Sequence, residues 1–114
     1  GAQETRLGIA IERGKAFLEA GADCVFVPGV RDAATIGALV KGIGGPVNVL
    51  AVEGSPSISE LEALGVARVS LGSGPMRATM AVLRDITREL KSTGTFTSFT
   101  KNAMTFAEVN DLMK

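Results

Sequence analysis

The sequence predicts an α/β fold, a part of a (β/α)₈ TIM barrel with about three strands, four helices and a short tail helix. Three observations lead there. Asp23–Pro28, Pro46–Val52 and Ala67–Leu71 are short apolar segments, each preceded by a glycine turn and followed by a glycine-containing loop and a helical pattern. Such repeated units of about 20–25 residues imply parallel strands with right-handed crossovers. The chain also opens on a helix with no strand before it, and three parallel strands leave two open edges. A barrel takes roughly 200–250 residues, so the 114 residues here correspond to just under half of one. A doubly wound sheet is the alternative. Residues 1–114 read as a single partial-barrel segment, without linker, charge block or low-complexity stretch.

Each element has a local reason. Over residues 1–20, Leu7, Ala10, Ile11, Gly14, Phe17, Leu18 and Gly21 fall on one helical face. Gly14 on that stripe costs about 1 kcal/mol against Ala, which points to close approach by a neighbour, and Gly21 suits the position after a helix end. Asp23–Pro28 contains four consecutive apolar residues, the pattern of a strand buried on both faces. Asp32 can cap a helix whose apolar positions are Ile36, Leu39, Val40 and Ile43, ended by Gly42, Gly44 and Gly45. Pro46 suits a first strand position. Ser57-Ile58-Ser59-Glu60 fits a capping box and starts a short helix through Leu61 and Leu64. After Ala67–Leu71, Pro75 suits the first position of a helix reaching about Ser92, with Met76, Met80, Leu83, Thr87 and Leu90 on one face. Residues 95–102 read as an extended connection. Thr105-Phe106-Ala107-Glu108 is a second capping box, opening a tail helix with Val109, Leu112 and Met113.

Composition excludes several functions. There is no His, so this chain holds no His base, no Ser-His-Asp or Cys-His pair and no imidazole metal ligand. A single Cys excludes an internal disulfide and a Cys-cluster zinc site. Twelve Lys+Arg balance twelve Asp+Glu with no basic run, which argues against nucleic acid. No apolar stretch approaches the roughly 20 residues of a membrane span and no signal-peptide pattern opens the chain, so a cytoplasmic protein is expected.

Ligands in either architecture sit at the C-terminal ends of the strands. Gly72-Ser73-Gly74 offers backbone amides and a hydroxyl there, and Arg77 follows with a guanidinium suited to carboxylate or phosphate. The plain alternative is an ordinary tight strand-to-helix turn. In the loop at Glu53–Ser57, Ser55 and Ser57 can bind an anion and Glu53 is a weak candidate acid or base; Ser57 is equally explained as a helix cap. Arg31 and Asp32 read as a solvated residue and a cap. Cys24 reads as a small core residue rather than a nucleophile, and Met76 and Met80 match core spacing.

Ala20–Gly29 (A-G-A-D-C-V-F-V-P-G), Gly44–Ala51 (G-G-P-V-N-V-L-A) and Leu64–Ala78 (L-G-V-A-R-V-S-L-G-S-G-P-M-R-A) together resemble the C-terminal part of the isocitrate lyase/phosphoenolpyruvate mutase superfamily. The resemblance implies a (β/α)₈ barrel and Mg²⁺-dependent cleavage or formation of C–C or P–C bonds in small 2-oxo or phosphono carboxylic acids, through an enolate. It places the metal-binding Asp cluster and the catalytic Cys loop upstream, so the Mg²⁺ ligands are not in this chain and Cys24 does not match that Cys. Ser55-Pro56-Ser57 resembles the S-P-S that helps hold a substrate carboxylate in isocitrate lyases. Glu53 stands where an Asn is expected, and Pro28-Gly29 where methylisocitrate lyases carry a Glu. These departures favour a divergent mutase-like or hydrolase-like branch. The resemblance also implies a homo-oligomer with an exchanged C-terminal helix, here Met76–Leu90 or Phe106–Met113. The segment alone is expected to be inactive, its share being to line the anion side of the pocket with Ser55, Ser73 and Arg77. Two other readings stand beside this one: another phosphate-binding barrel such as an aldolase or synthase, and a truncated, non-catalytic half-barrel.

Overall fold

The computed structural model describes residues 2–114. In chain order the elements are α1 (Ala2–Glu19), β1 (Val25–Phe26), α2 (Ala33–Ile43), β2 (Val47–Leu50), α3 (Ile58–Ala63), β3 (Arg68–Ser70), α4 (Gly74–Thr93), α5 (Thr97–Thr100) and α6 (Phe106–Leu112). Position 1 of the first expected helix lies outside the described residues. The three strands form one parallel sheet in the order β1-β2-β3. Two compact units part after Gly74.

In the first unit, helix ends follow side-chain chemistry. The C-terminus of α1 closes with the Gly21 amide on the Leu18 carbonyl and the Ala22 amide on the Phe17 carbonyl. That pattern requires a left-handed residue after the helix, and Gly21 supplies it at φ +99°. The Asp32 carboxylate accepts from the Thr35 amide at 2.8 Å and starts α2. Ser57 and Glu60 complete both halves of a capping box on α3.

The core lies on one face of the sheet. Val25, Val47 and Val49 are buried there with Ile36, Leu39 and Ile43 of α2 and Leu61 of α3, and Leu7, Ala10, Ile11 and Leu18 of α1 pack against them. Thus α1, α2 and α3 all cover the same face. The two long helices of this unit meet through glycines. A Cβ at Gly14 would lie 2.8 Å from Ile43 Cδ1 and Cγ1, and one at Gly42 would lie 2.5 Å from Ile11 Cδ1. The close approach expected at Gly14 is therefore present.

Alternation along the strands directs the other residues to the opposite face. Phe26 of β1, Asn48 and Leu50 of β2, and Arg68 and Ser70 of β3 lie there, with Phe26 opposite Asn48, Asn48 opposite Arg68 and Leu50 opposite Ser70. Among the described residues, the helices of the first unit pack on the other face and leave this one uncovered. As a result β1 is not buried on both sides: Phe26 is 48% exposed, and Cys24 is exposed rather than in the core. Phe17 is likewise 58% exposed, so the apolar stripe of α1 is only partly used.

The second unit differs from expectation in one element and in the exposure of Met76 and Met80, which the sequence spacing assigns to a core. Residues 97–100 are helical, not extended. The cause is Glu89, whose carboxylate accepts from the Thr97 amide (2.8 Å) and the Ser98 amide (2.9 Å), satisfying the amides that open α5. It also accepts from the Thr95 and Thr97 hydroxyls. These hydrogen bonds, from Ser98, Thr95 and Thr97, hold Glu89 far below the usual carboxylate range. Helix α6 starts at the expected Thr105–Glu108 capping box. Helix α4 buries none of its residues, and Met76, Met80, Leu83 and Leu90 are exposed.

Candidate functional site

Parallel pairing sends the three strand-to-helix loops out of the same end of the sheet. The pairing of β2 with β3 continues one step further, with the Ala51 amide on the Ser70 carbonyl. Loops 51–57 and 71–74 therefore leave adjacent strands side by side. A Cβ at Gly72 would lie 3.1 Å from Leu50 Cδ1, so the base of one loop rests on the end of the neighbouring strand. Gly72 also takes a left-handed φ of +54°, which explains glycine at this position twice over.

Within loop 51–57 the two serines have different duties. The Ser55 hydroxyl accepts from the Val52 amide at 3.1 Å while the Ser55 amide returns to the Val52 carbonyl at 3.0 Å. That closes a turn and leaves the Ser55 hydroxyl proton available to donate. Ser57 is engaged in the α3 cap: its hydroxyl and amide both donate to Glu60 Oε2 at 2.7 Å. The Ser57 hydroxyl and amide in turn hold the Glu60 carboxyl below its ordinary value of 4.5. Glu53 is exposed at the tip of this loop, beside Gly54.

In loop 71–74 the Gly74 amide closes back on the Leu71 carbonyl at 3.1 Å. Ser73 is exposed, its hydroxyl without a hydrogen-bond partner among the described residues, and Gly72 and Gly74 flank it. The structure thus brings Glu53, Ser55, Ser57, Gly72, Ser73 and Gly74 to one end of the sheet. Arg77 stands in the first turn of α4, exposed, in the second unit.

Loop 28–32 carries a different feature. A cavity of about 410 Å³ lies between α1, the end of β1 and the start of α2, lined by Arg6, Val27, Pro28, Gly29, Asp32 and Thr35 among others. The Thr35 backbone amide holds the Asp32 carboxyl below its ordinary value of 3.8. Arg6 comes to this strand-end loop from α1 through helix packing that no local motif encodes.

A second group escaped sequence reasoning. On the open sheet face, Arg68 Nη1 donates to Asn48 Oδ1 (3.2 Å), Asn48 Nδ2 donates to Ser70 Oγ (3.1 Å), and Ser70 Oγ donates to the Val49 carbonyl (3.3 Å). Asn48 is only 3% exposed. The signal was present as polar residues alternating with valine in V-N-V-L and A-R-V-S-L.

Among the described residues no group of three or more His, Cys, Asp or Glu side chains could hold a metal ion, so these residues do not fit a Mg²⁺ site. No helix among them is long and apolar enough to cross a membrane.

Comparison with known proteins gives a consistent result. Residues 2–91 match the family described as phosphoenolpyruvate phosphomutase. An uncharacterised protein of Mycobacterium tuberculosis is 47% identical over 68 residues, 60% of this chain and 26% of that protein. A candidate lyase/mutase from Burkholderia cenocepacia J2315 is similar in structure with TM-score 0.83 and 38% identity, over 94% of this chain and 39% of that one. The fold is also shared with 2,3-dimethylmalate lyase, a member of the phosphoenolpyruvate mutase/isocitrate lyase superfamily (TM-score 0.74, 22% identity, 93% of this chain and 38% of that one). The chain spans about a quarter of the curated relatives it matches and about two fifths of the structural ones.

Proposed function

This chain belongs to the phosphoenolpyruvate phosphomutase family, and from that premise we propose that it is the barrel-closing C-terminal part of a lyase or mutase. The complete protein would cleave or form C–C or P–C bonds in small 2-oxo or phosphono carboxylic acids through an enolate. Residues 1–114 would form one partial-barrel segment of it. One observation carries most of the weight: a parallel sheet in sequential strand order, with α1, α2 and α3 on a single face. A barrel keeps its strands in sequential order and its helices outside, as here; one half of a doubly wound sheet has the same local arrangement, and the family match favours the barrel. The 38% identity to a candidate lyase/mutase over 94% of the chain supports the same reading.

The contribution of this chain is to bind and orient. Ser55 and Ser73 each present a hydroxyl donor at the strand ends; Arg77, in the second unit, carries a guanidinium of the kind that matches a carboxylate or phosphonate. Ser57 contributes through the loop, fixing its exit into α3. The Gly72 and Gly74 backbone allows close approach of a substrate oxygen. Glu53 would repel a carboxylate substrate unless it is protonated or bridged, and is at most a proton carrier at the loop tip. A Mg²⁺ ion, as the family implies, would take its ligands from outside this chain, and the segment alone is inactive. The same reading places the protein in the cytoplasm as a homo-oligomer, with the exposed apolar residues of α4 or α6 set against a partner subunit.

Titration of the complete protein with oxalate, with and without Mg²⁺, tests the proposal by calorimetry. Oxalate is expected to bind only with Mg²⁺, and Ser73→Ala and Arg77→Met to weaken it roughly tenfold or more, the scale of a hydrogen bond to a charged group. Absence of oxalate binding under both conditions would remove the enolate chemistry. Binding of inorganic phosphate alone, lost in Ser73→Ala, would point to a phosphate-binding aldolase or synthase instead.

A further inference from the structure

The open sheet face holds one cation in a built setting. Arg68 begins β3, and its guanidinium is oriented by a directional relay: Ser70 donates to a backbone carbonyl, Asn48 to Ser70, and Arg68 to Asn48. Asn48 is almost fully buried, so the relay is anchored in the sheet rather than on a mobile surface. Around it lie Phe26, 48% exposed in the same cross-strand row, and Leu50. Of the strand residues on this face Arg68 is the one charged group, set among the polar Asn48 and Ser70 and the apolar Phe26 and Leu50.

Arg68 has no anionic partner among the described residues, whose ion pairs are Lys15–Glu12, Arg84–Asp85 and Lys114–Asp111. A guanidinium has five N–H donors, and the relay uses one. In a closed barrel this face is interior. Burying the cation with a neutral amide as its sole partner would leave a charge and several donors uncompensated, which is strongly unfavourable. A carboxylate is the group that satisfies both, because it accepts two parallel N–H bonds and cancels the charge.

We infer that Arg68 is the receptor for an Asp or Glu side chain on the strands that cover this face in the complete protein, forming an interior ion pair that fixes how the barrel closes. This rests on the barrel reading above. The occupant is a sheet surface that is apolar with one carboxylate. A substrate carboxylate fits less well. Arg68 opens β3, about 7 Å along the strand before Ser70 at roughly 3.3 Å per residue, so it sits toward the end of the sheet opposite the anion-binding loops.

The test is a crystal structure of the complete protein followed by a double-mutant cycle. The expected result is a carboxylate oxygen within 4 Å of the Arg68 guanidinium, contributed by a residue outside this chain. Arg68→Met and neutralisation of that carboxylate should each lower Tm by about 10 °C, since each strands a buried charge, while the double variant should lose no more than the worse single one. If Arg68→Met does not fold, the structure of the unaltered protein still decides. A closed barrel in which Arg68 meets water, backbone carbonyls, a solution anion or a second copy overturns the ion pair and leaves the barrel reading intact. So do Tm losses that simply add. A structure with no further strand beside β1 overturns both.

Discussion

Gly8 and Gly14 lie in the same helix, α1, and the same substitution is predicted to act on them with opposite sign. A Cβ at Gly8 meets nothing within 4 Å, so Gly8→Ala gains only helix propensity and should stabilise by about 0.8–1 kcal/mol. A Cβ at Gly14 meets Ile43 Cδ1 and Cγ1 at 2.8 Å and Cγ2 at 3.4 Å. Ile43 is 4% exposed and has little room to move, and Cγ1 lies next to its branch point rather than at a flexible tip. Overpacking of this kind costs roughly 1–3 kcal/mol, which offsets the propensity gain and leaves Gly14→Ala neutral to about 2 kcal/mol less stable. The two variants should thus differ by about 1–3 kcal/mol. The chain has no Trp or Tyr, so urea unfolding is best followed by far-UV circular dichroism, with unchanged m-values as the check that only stability moved. Equal stabilisation by both substitutions would refute the close packing of α1 on α2.

Other perturbations read different parts of the fold. Leu61→Ala removes a side chain with 0% exposure and should cost about 2–5 kcal/mol, measured by the same urea transitions. Ser57→Ala breaks the α3 capping box and should cost about 1 kcal/mol; a loss below a few tenths would show the cap to be idle. The Glu89 carboxyl is held below its ordinary value of 4.5 in the folded chain, so its contribution is complete above that pH and disappears as pH falls through the lower folded value. Amide exchange of Thr97 and Ser98 should therefore be slow near neutrality and accelerate, relative to intrinsic rates, below about pH 4; in Glu89→Gln that pH dependence should vanish. The Cys24 thiol should react with a disulfide reagent in native buffer, one equivalent per chain; reaction only after denaturation would put Cys24 back in the core.

What was legible in the sequence is what depends on near neighbours. Asp32, Ser57 and Thr105 announce their helices because a cap needs only the residue itself and an amide three positions on. Gly14 was legible for a different reason: a helix-weakening residue on an apolar stripe demands a compensating contact. Helix α5 was not, because the group that caps it, Glu89, sits eight residues before Thr97, in the preceding helix. Nor was the exposure of Cys24 and Phe26. An apolar run fixes a strand but not how many of its faces the chain itself covers. The same ambiguity hid the Asn48–Arg68–Ser70 relay, since polar residues alternating with valine read equally as a solvated face. At the candidate site, loop chemistry in the sequence points to the serines and glycines that the structure gathers at one end of the sheet. Loop geometry separates the two serines, Ser57 serving the cap of its own helix and Ser55 closing a turn on Val52.

The most direct test of barrel closure around an anion site is the structure of the complete protein with oxalate bound. Further parallel strands should pair with the outer edges of both β1 and β3, and the oxalate carboxylates should lie within hydrogen-bond distance of the Ser55 and Ser73 hydroxyls. An open edge at β1 or β3, or oxalate bound away from loops 51–57 and 71–74, would contradict it.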